Sequence, residues 1–128
     1  MYMSEQDVVL PNGARIDGYI TWEIREYALI VALTEKCIPL AHQYKHGLQS
    51  FSLDLPGGYL NDNEPPLVGA KRELLEETGL MADKWIHLSS LVLDNNPGTA
   101  KSHLFLASDT HVVSLPNLDE TEELTIDF

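Results

Sequence analysis

A mixed α/β or α+β layer fold built around one helix is the architecture that the 128-residue sequence predicts. Three observations predict it. Short β-branched and aromatic runs fill the chain as far as Leu55, one helical period spans Pro65 to Thr78, and extended runs resume from Trp85. No internal repeat, low-complexity tract or linker interrupts the chain, so residues 1–128 read as a single domain.

The elements follow in order. Val8-Val9-Leu10 runs into Pro11-Asn12-Gly13, a turn signal between two extended segments. Tyr19 to Ile24 alternates and carries aromatic and β-branched residues, as a strand does. Tyr27 to Leu33 is a continuous apolar run, expected of a strand covered on both faces, and Cys37 to His42 is a shorter one. After Leu53-Asp54-Leu55, Pro56-Gly57-Gly58 breaks the chain and Asn61-Asp62-Asn63 continues the loop.

Pro65 and Pro66 suit the first turn of a helix, where missing N–H groups cost little. Leu67, Ala70, Leu74 and Leu75 then recur at helical spacing, and Gly79 is a natural stop. Strands are expected at Trp85 to Leu93, His103 to Ala107 and Glu123 to Phe128.

Composition narrows the function. Twenty acidic residues against eight basic ones give a net charge of −12. That argues against nucleic acid, whose phosphates need a basic face, and against an anionic membrane surface. The longest apolar run is too short to span a bilayer, and the N-terminus lacks a basic start followed by an apolar stretch. One cysteine, Cys37, permits no intrachain disulfide, so a reducing cytoplasm is expected, with Cys37 as a small buried hydrophobe.

The chemistry concentrates on the helix. Glu73, Glu76 and Glu77 stand at i, i+3 and i+4 and project from one face, where like charges repel unless a cation sits among them. Arg72 precedes Glu76 by four residues and can brace it. Oxygen-only carboxylate sets suit hard divalent ions such as Mg²⁺ or Mn²⁺. The bland alternative is a solvated acidic helix face; the Gly-Gly step before the helix weighs against it, because bare backbone can bring a carbonyl to the same ion.

The stretch GGYLNDNEPPLVGAKRELLEETGL, Gly57 to Leu80, resembles the Nudix box. Gly58, Glu64, Arg72, Glu73, Leu74, Glu76, Glu77, Gly79 and Leu80 occupy each required place in its pattern. The resemblance implies a Nudix α/β/α sandwich with a mixed sheet and one catalytic loop-helix. It makes Glu73, Glu76 and Glu77 the metal-binding and catalytic carboxylates, with Gly58 or the carbonyl of Gly57 as a backbone ligand. Arg72 and Glu64 become bracing residues that hold the loop against the helix. The implied reaction is Mg²⁺- or Mn²⁺-dependent hydrolysis of a diphosphate in a nucleoside diphosphate derivative. That fits the charge: so acidic a chain accepts an anionic diphosphate if metal ions neutralise both parties.

Shorter matches extend the resemblance to the ADP-ribose pyrophosphatase branch: Val9 to Gly13, Ile30 to Thr34, Gln43-Tyr44-Lys45, Leu55 to Gly58, and Asn96-Pro97-Gly98 before His103 to Ala107. On this basis Lys45 and Pro97 are expected at the substrate. Trp22 and Tyr19 are expected to stack on the base, often across a homodimer; ordinary strand packing is the alternative for both. A downstream glutamate of the segment 119–123, Glu120 or Glu122, matches the branch's mobile catalytic base, against the reading of a solvated acidic loop.

Departures from the branch are equally specific. Lys45 stands where arginine is usual and offers a point charge instead of a planar fork. Asp54 replaces glutamate, and the loop after Pro97-Gly98 is short and lacks an acidic residue. The branch also continues past a final strand to a C-terminal helix, so the domain is expected either to be truncated at its C-terminus or to close differently. The expected substrate is ADP-ribose or a related nucleoside diphosphate sugar. A triphosphate pyrophosphohydrolase of the housecleaning type is the second reading, and a non-catalytic nucleotide-sensing Nudix domain the third. The five histidines show no metal-ligand spacing, and Trp85 is expected in the core.

Overall fold

The computed structural model describes residues 2–93, 101–118 and 124–127. In order they form β1 (Tyr2–Val9), β2 (Arg15–Glu23), β3 (Tyr27–Ala32), β4 (Leu40–Lys45), β5 (Ser50–Asp54), β6 (Gly57–Tyr59), α1 (Pro66–Thr78), β7 (Leu80–Val92), β8 (Lys101–Val112) and β9 (Leu124–Asp127). This is the mixed α+β architecture that the sequence predicts, with one helix among the described residues. That helix is too short to cross a membrane.

The central sheet has the order β6-β3-β8-β7. It is mixed: β3 and β8 run parallel, and the other two pairings are antiparallel. Along β3 the residues Ala28, Ile30 and Ala32 are fully buried while those between them are half-buried. The apolar run therefore covers one face completely and the other in part. Small residues at Ala28, Ala32 and Ala107 let α1 lie close, and Ala70, Leu74, Leu60, Leu80 and Phe105 complete the core.

Helix α1 begins where the two prolines place it. Pro65 is its extended N-cap, and Gly79 closes it by donating its N–H to the Leu75 carbonyl. Its buried stripe, at Gly69, Ala70, Glu73, Leu74, Glu77 and Thr78, repeats every fourth residue. Apolar side chains fill that stripe against the sheet. The same spacing carries Glu73 and Glu77 inward with them.

Several boundaries differ from the sequence reading, β2 and β8 being longer than expected (Arg15–Glu23 and Lys101–Val112). Cys37 to Pro39 lies outside β4, because the Thr34 hydroxyl accepts the Cys37 N–H and folds a local turn; Cys37 is half-buried there. Gly57 and Gly58 are strand, not loop, since β6 pairs with β3. β7 begins at Leu80, directly after the helix, and continues to Val92 through a bulge between His87 and Ser89. β1 is longer than its apolar core and reaches back to Tyr2.

The other sheets among the described residues are a three-stranded one, β5-β4-β9, and the two-stranded β1–β2 ribbon, which among those residues pairs with no other strand. Tyr2, Met3, Val9 and Ile20 of that ribbon are exposed. Trp85 is partly buried against the core with its ring edge-to-face on Phe105. His103 is buried, donor or acceptor to Glu26 on one side and to Ser90 on the other.

Candidate active site

The inward half of the glutamate set meets a glycine step. Gly57 on β6 has φ +153°, and a Cβ there would lie 2.1 Å from the Ala28 carbonyl oxygen of the neighbouring strand. A Cβ on Gly58 would lie 2.5 Å from the Glu73 carboxyl carbon. Only glycines allow this backbone to sit between β3 and the carboxylates of α1. The Gly57 N–H then donates to Glu77 Oε2 at 2.8 Å, tying strand to helix.

Arg72 organises the other half. Its Nε donates to Glu64 Oε1 at 3.0 Å and its Nη2 to Glu64 Oε2 at 2.9 Å, a two-pronged pair. Nη1 bridges Glu73 Oε1 (2.7 Å) and Glu76 Oε2 (3.0 Å), and Nη2 also reaches the Tyr59 carbonyl. Glu64 closes the bracket by accepting the Asn61 N–H. These contacts fasten the loop before the helix to the helix itself.

The bracket sets ionisation. The Arg72 hydrogen bonds, followed by that from the Asn61 backbone, lower the Glu64 carboxyl to about 2. Its partners, Glu64 foremost, hold the Arg72 guanidinium still further above its ordinary value. A depressed carboxyl stabilises the fold above its unfolded value of 4.5, and that contribution is lost as pH falls toward 2. Glu64→Gln should therefore be less stable than the parent at pH 7. Urea unfolding at pH 7, 4.5 and 3 should show the gap closing as pH falls; a gap independent of pH would assign no charge role to Glu64.

Around these groups opens a cavity of about 850 Å³, lined by both glycines, Glu73, Glu77, Arg72, Lys45 and Asp54, with Arg25, Tyr27 and Tyr59 on its wall. That is the size of a small-molecule site. Lys45 hydrogen-bonds Gln43 and faces Asp54 at 3.8 Å. The two departures from the branch pattern thus face each other across β4 and β5.

Of the sequence-predicted residues, Gly57, Gly58, Arg72, Glu73, Glu77 and Lys45 come together here. Glu76 is 42% exposed and reaches the group through Arg72. The carboxylates share a helix face without converging: among the described residues no three metal-ligating side chains gather at one point. The guanidinium is the cation between Glu73 and Glu76. Trp22 and Tyr19 sit half-buried on the ribbon and do not line the cavity of their own chain. Pro97, Glu120 and Glu122 lie outside the described residues.

Sequence reasoning missed Arg25, Tyr27 and Tyr59. Tyr59 follows the glycine pair directly, which was a signal for it. Arg25 carried none, since only the pairing of β6 with β3 brings it there.

The NUDIX domain family model matches residues 24–127. An ADP-ribose pyrophosphatase of Bacillus subtilis (strain 168) is 32% identical over 95% of this chain and 63% of its own length. For an ADP-ribose pyrophosphatase of Mycobacterium tuberculosis the figures are 33%, 94% and 58%. A methanol dehydrogenase activator of Bacillus methanolicus is 34% identical over 94% of this chain and 69% of its own. The chain thus spans from 58% to 69% of the length of these relatives. A solved ADP compounds hydrolase superposes with a TM-score of 0.85 at 28% identity, covering 98% of this chain and 68% of that one. A family match over residues 24–127, with each Nudix-box position filled and folded as a loop bracketed to its helix, places the chain in the Nudix family.

Proposed function

We propose that the protein is a divalent-metal-dependent pyrophosphohydrolase that cleaves the diphosphate of ADP-ribose or a related nucleoside diphosphate sugar. The observation that carries this reading is the pair of buried carboxylates, Glu73 and Glu77, set against the bare Gly57-Gly58 backbone inside a cavity sized for a nucleotide. The names of the two ADP-ribose pyrophosphatases and of the ADP compounds hydrolase support the substrate class.

The donor set suits Mg²⁺ or Mn²⁺: carboxylate and carbonyl oxygens, with no sulfur or imidazole. Glu73, Glu76 and Glu77, with a carbonyl of Gly57 or Gly58, would hold the ions. When bound, such ions polarise phosphoryl oxygens and lower the pKa of water. The chain's own residues do the rest. Arg72 fixes the rotamers of Glu73 and Glu76, and the Gly57 N–H fixes Glu77, so the carboxylates meet substrate already oriented. Glu120 or Glu122 is assigned the proton-accepting role, outside the carboxylates that metal charge makes poor bases.

Phosphate release after coupling to a phosphatase, across nucleoside diphosphate sugars and triphosphates with Mg²⁺, tests the reading. ADP-ribose should be the best substrate, with activity abolished by chelator and restored by Mg²⁺ or Mn²⁺. Full turnover in excess chelator would refute the metal requirement, and preference for triphosphates would favour a housecleaning enzyme.

The same reading includes a homodimer. A two-stranded ribbon is marginal alone, and β1–β2 exposes Tyr2, Met3 and Ile20. Covering that ribbon with a second copy would bring Trp22 and Tyr19 to the partner's substrate. Light scattering should then give about twice the 14.3 kDa chain mass; a monomer active at nanomolar protein would remove the reason for pairing. A cytoplasmic location is proposed from the single unpaired Cys37.

A further inference from the structure

Three cations line the cavity, and two are already committed. Arg72 is spread over Glu64, Glu73 and Glu76, and Lys45 faces Asp54. Arg25 is different. Among the described residues no carboxylate lies within ion-pair distance of it, in a chain of net charge −12. Its guanidinium carbon instead sits over the Tyr59 ring, 4.9 Å from the centroid, and Tyr27 packs edge-to-face on the same ring at 6.0 Å.

The support beneath Arg25 is rigid. Tyr59 pairs with Tyr27 across β6 and β3, and its carbonyl accepts from Arg72. Neighbouring Glu26 accepts the Leu60 N–H through its backbone and holds His103 through its carboxylate, which pins the chain just after Arg25. A guanidinium stacked on an aromatic face keeps its in-plane N–H donors available, and their fork matches phosphate oxygens two at a time. Tyr59 also follows Gly58, whose backbone abuts the Glu73 carboxylate. Arg25 is therefore presented on the wall beside the carboxylate site.

We propose that Arg25, seated on Tyr59, is a phosphate clamp: it binds the non-bridging oxygens of the substrate's diphosphate from the cavity wall beside the carboxylates. This rests on the pyrophosphohydrolase reading and names a binding residue within it. It also supplies the planar fork that Lys45 cannot, from a different strand end. Arg25 touches substrate in the ground state and the transition state alike, so its loss acts on binding more than on turnover.

The test uses the whole chain with Mg²⁺ and two variants, Arg25→Ala and Arg25→Lys. Calorimetry measures Kd for the non-hydrolysable α,β-methylene analogue of ADP-ribose; steady-state assays give KM and kcat for ADP-ribose. Arg25→Ala should raise Kd and KM by about ten- to a hundredfold, with kcat within about threefold of the parent. Arg25→Lys should recover only part of the loss, having charge without the fork. AMP should compete less well against the variant, whereas adenosine, which lacks phosphate, should compete as before.

An unchanged Kd for the analogue overturns the clamp. So does an equal loss for AMP and adenosine, which would make Arg25 a support for Tyr59 only. Because binding is read without turnover, a parent that fails to hydrolyse ADP-ribose but binds the analogue through Arg25 refutes the reaction and supports the clamp.

Discussion

Glu77→Gln should lower kcat by more than about a hundredfold with the fold intact. Replacing even a residue that only orients a ligand of a catalytic metal typically costs ten- to a hundredfold in affinity or activity, and Glu77 is proposed to hold the ion directly. The fold should survive because glutamine keeps an acceptor oxygen for the Gly57 N–H, a hydrogen bond by which Glu77 ties β6 to α1. Glu77 is also almost fully buried, at 6% exposure, so no other side chain can take its place from solvent. The decisive measurement is kcat across a Mg²⁺ titration, paired with thermal unfolding. Near-parental kcat at any metal concentration would remove Glu77 from the site. Lost activity with an equally lowered Tm would reassign it to the strand–helix tie.

Arg72→Ala should have the largest effect on stability. The guanidinium is 27% exposed, and it neutralises Glu64 and Glu73, whose side chains are each 11% exposed. Removing one partner of a largely buried ion network weakens the compensation of the other charges, at a cost of about 3 kcal/mol, or roughly 10 °C in Tm for a domain of this size. Two other ties go with it, to Glu76 and to the Tyr59 carbonyl, so the loop from Asn61 to Glu64 should loosen. Unfolding should be followed in chelator, where metal cannot substitute for the lost cation. Added Mg²⁺ should then recover part of the stability, because the carboxylates freed of Arg72 need a positive charge. A variant as stable as the parent in chelator would show that the bracket does not hold the loop.

The local pattern determined a good deal. Two prolines and Gly79 fixed both ends of α1, since each acts through its own backbone and needs no distant partner. Spacing alone put three glutamates on one helix face, and the box assigned Arg72 and Glu64 to the bracket that the structure contains. Alternation and apolar runs likewise located β2, β3 and β8, because both patterns, with β-branched and aromatic residues, mark extended backbone within a few neighbours.

Other features depend on which strand lies beside which, and no local pattern carries that. The glycine pair reads as a chain break in sequence; only its pairing with β3 makes it a strand, and only the closeness of α1 makes its missing Cβ necessary. Three glutamates at i, i+3 and i+4 suggest convergence on one point. Tertiary packing instead turned Glu73 and Glu77 inward with Leu74 and left Glu76 outward, joined through Arg72, because a buried stripe of four-residue period admits two of the three. Arg25 and Tyr59, thirty-four residues apart in sequence, meet only because β6 returns along β3. Sequence therefore determined which chemistry the chain carries and on which helix. The sheet's pairing decided which of those groups face the cavity, since long-range register is set by burial over the whole domain and not by neighbours in the chain.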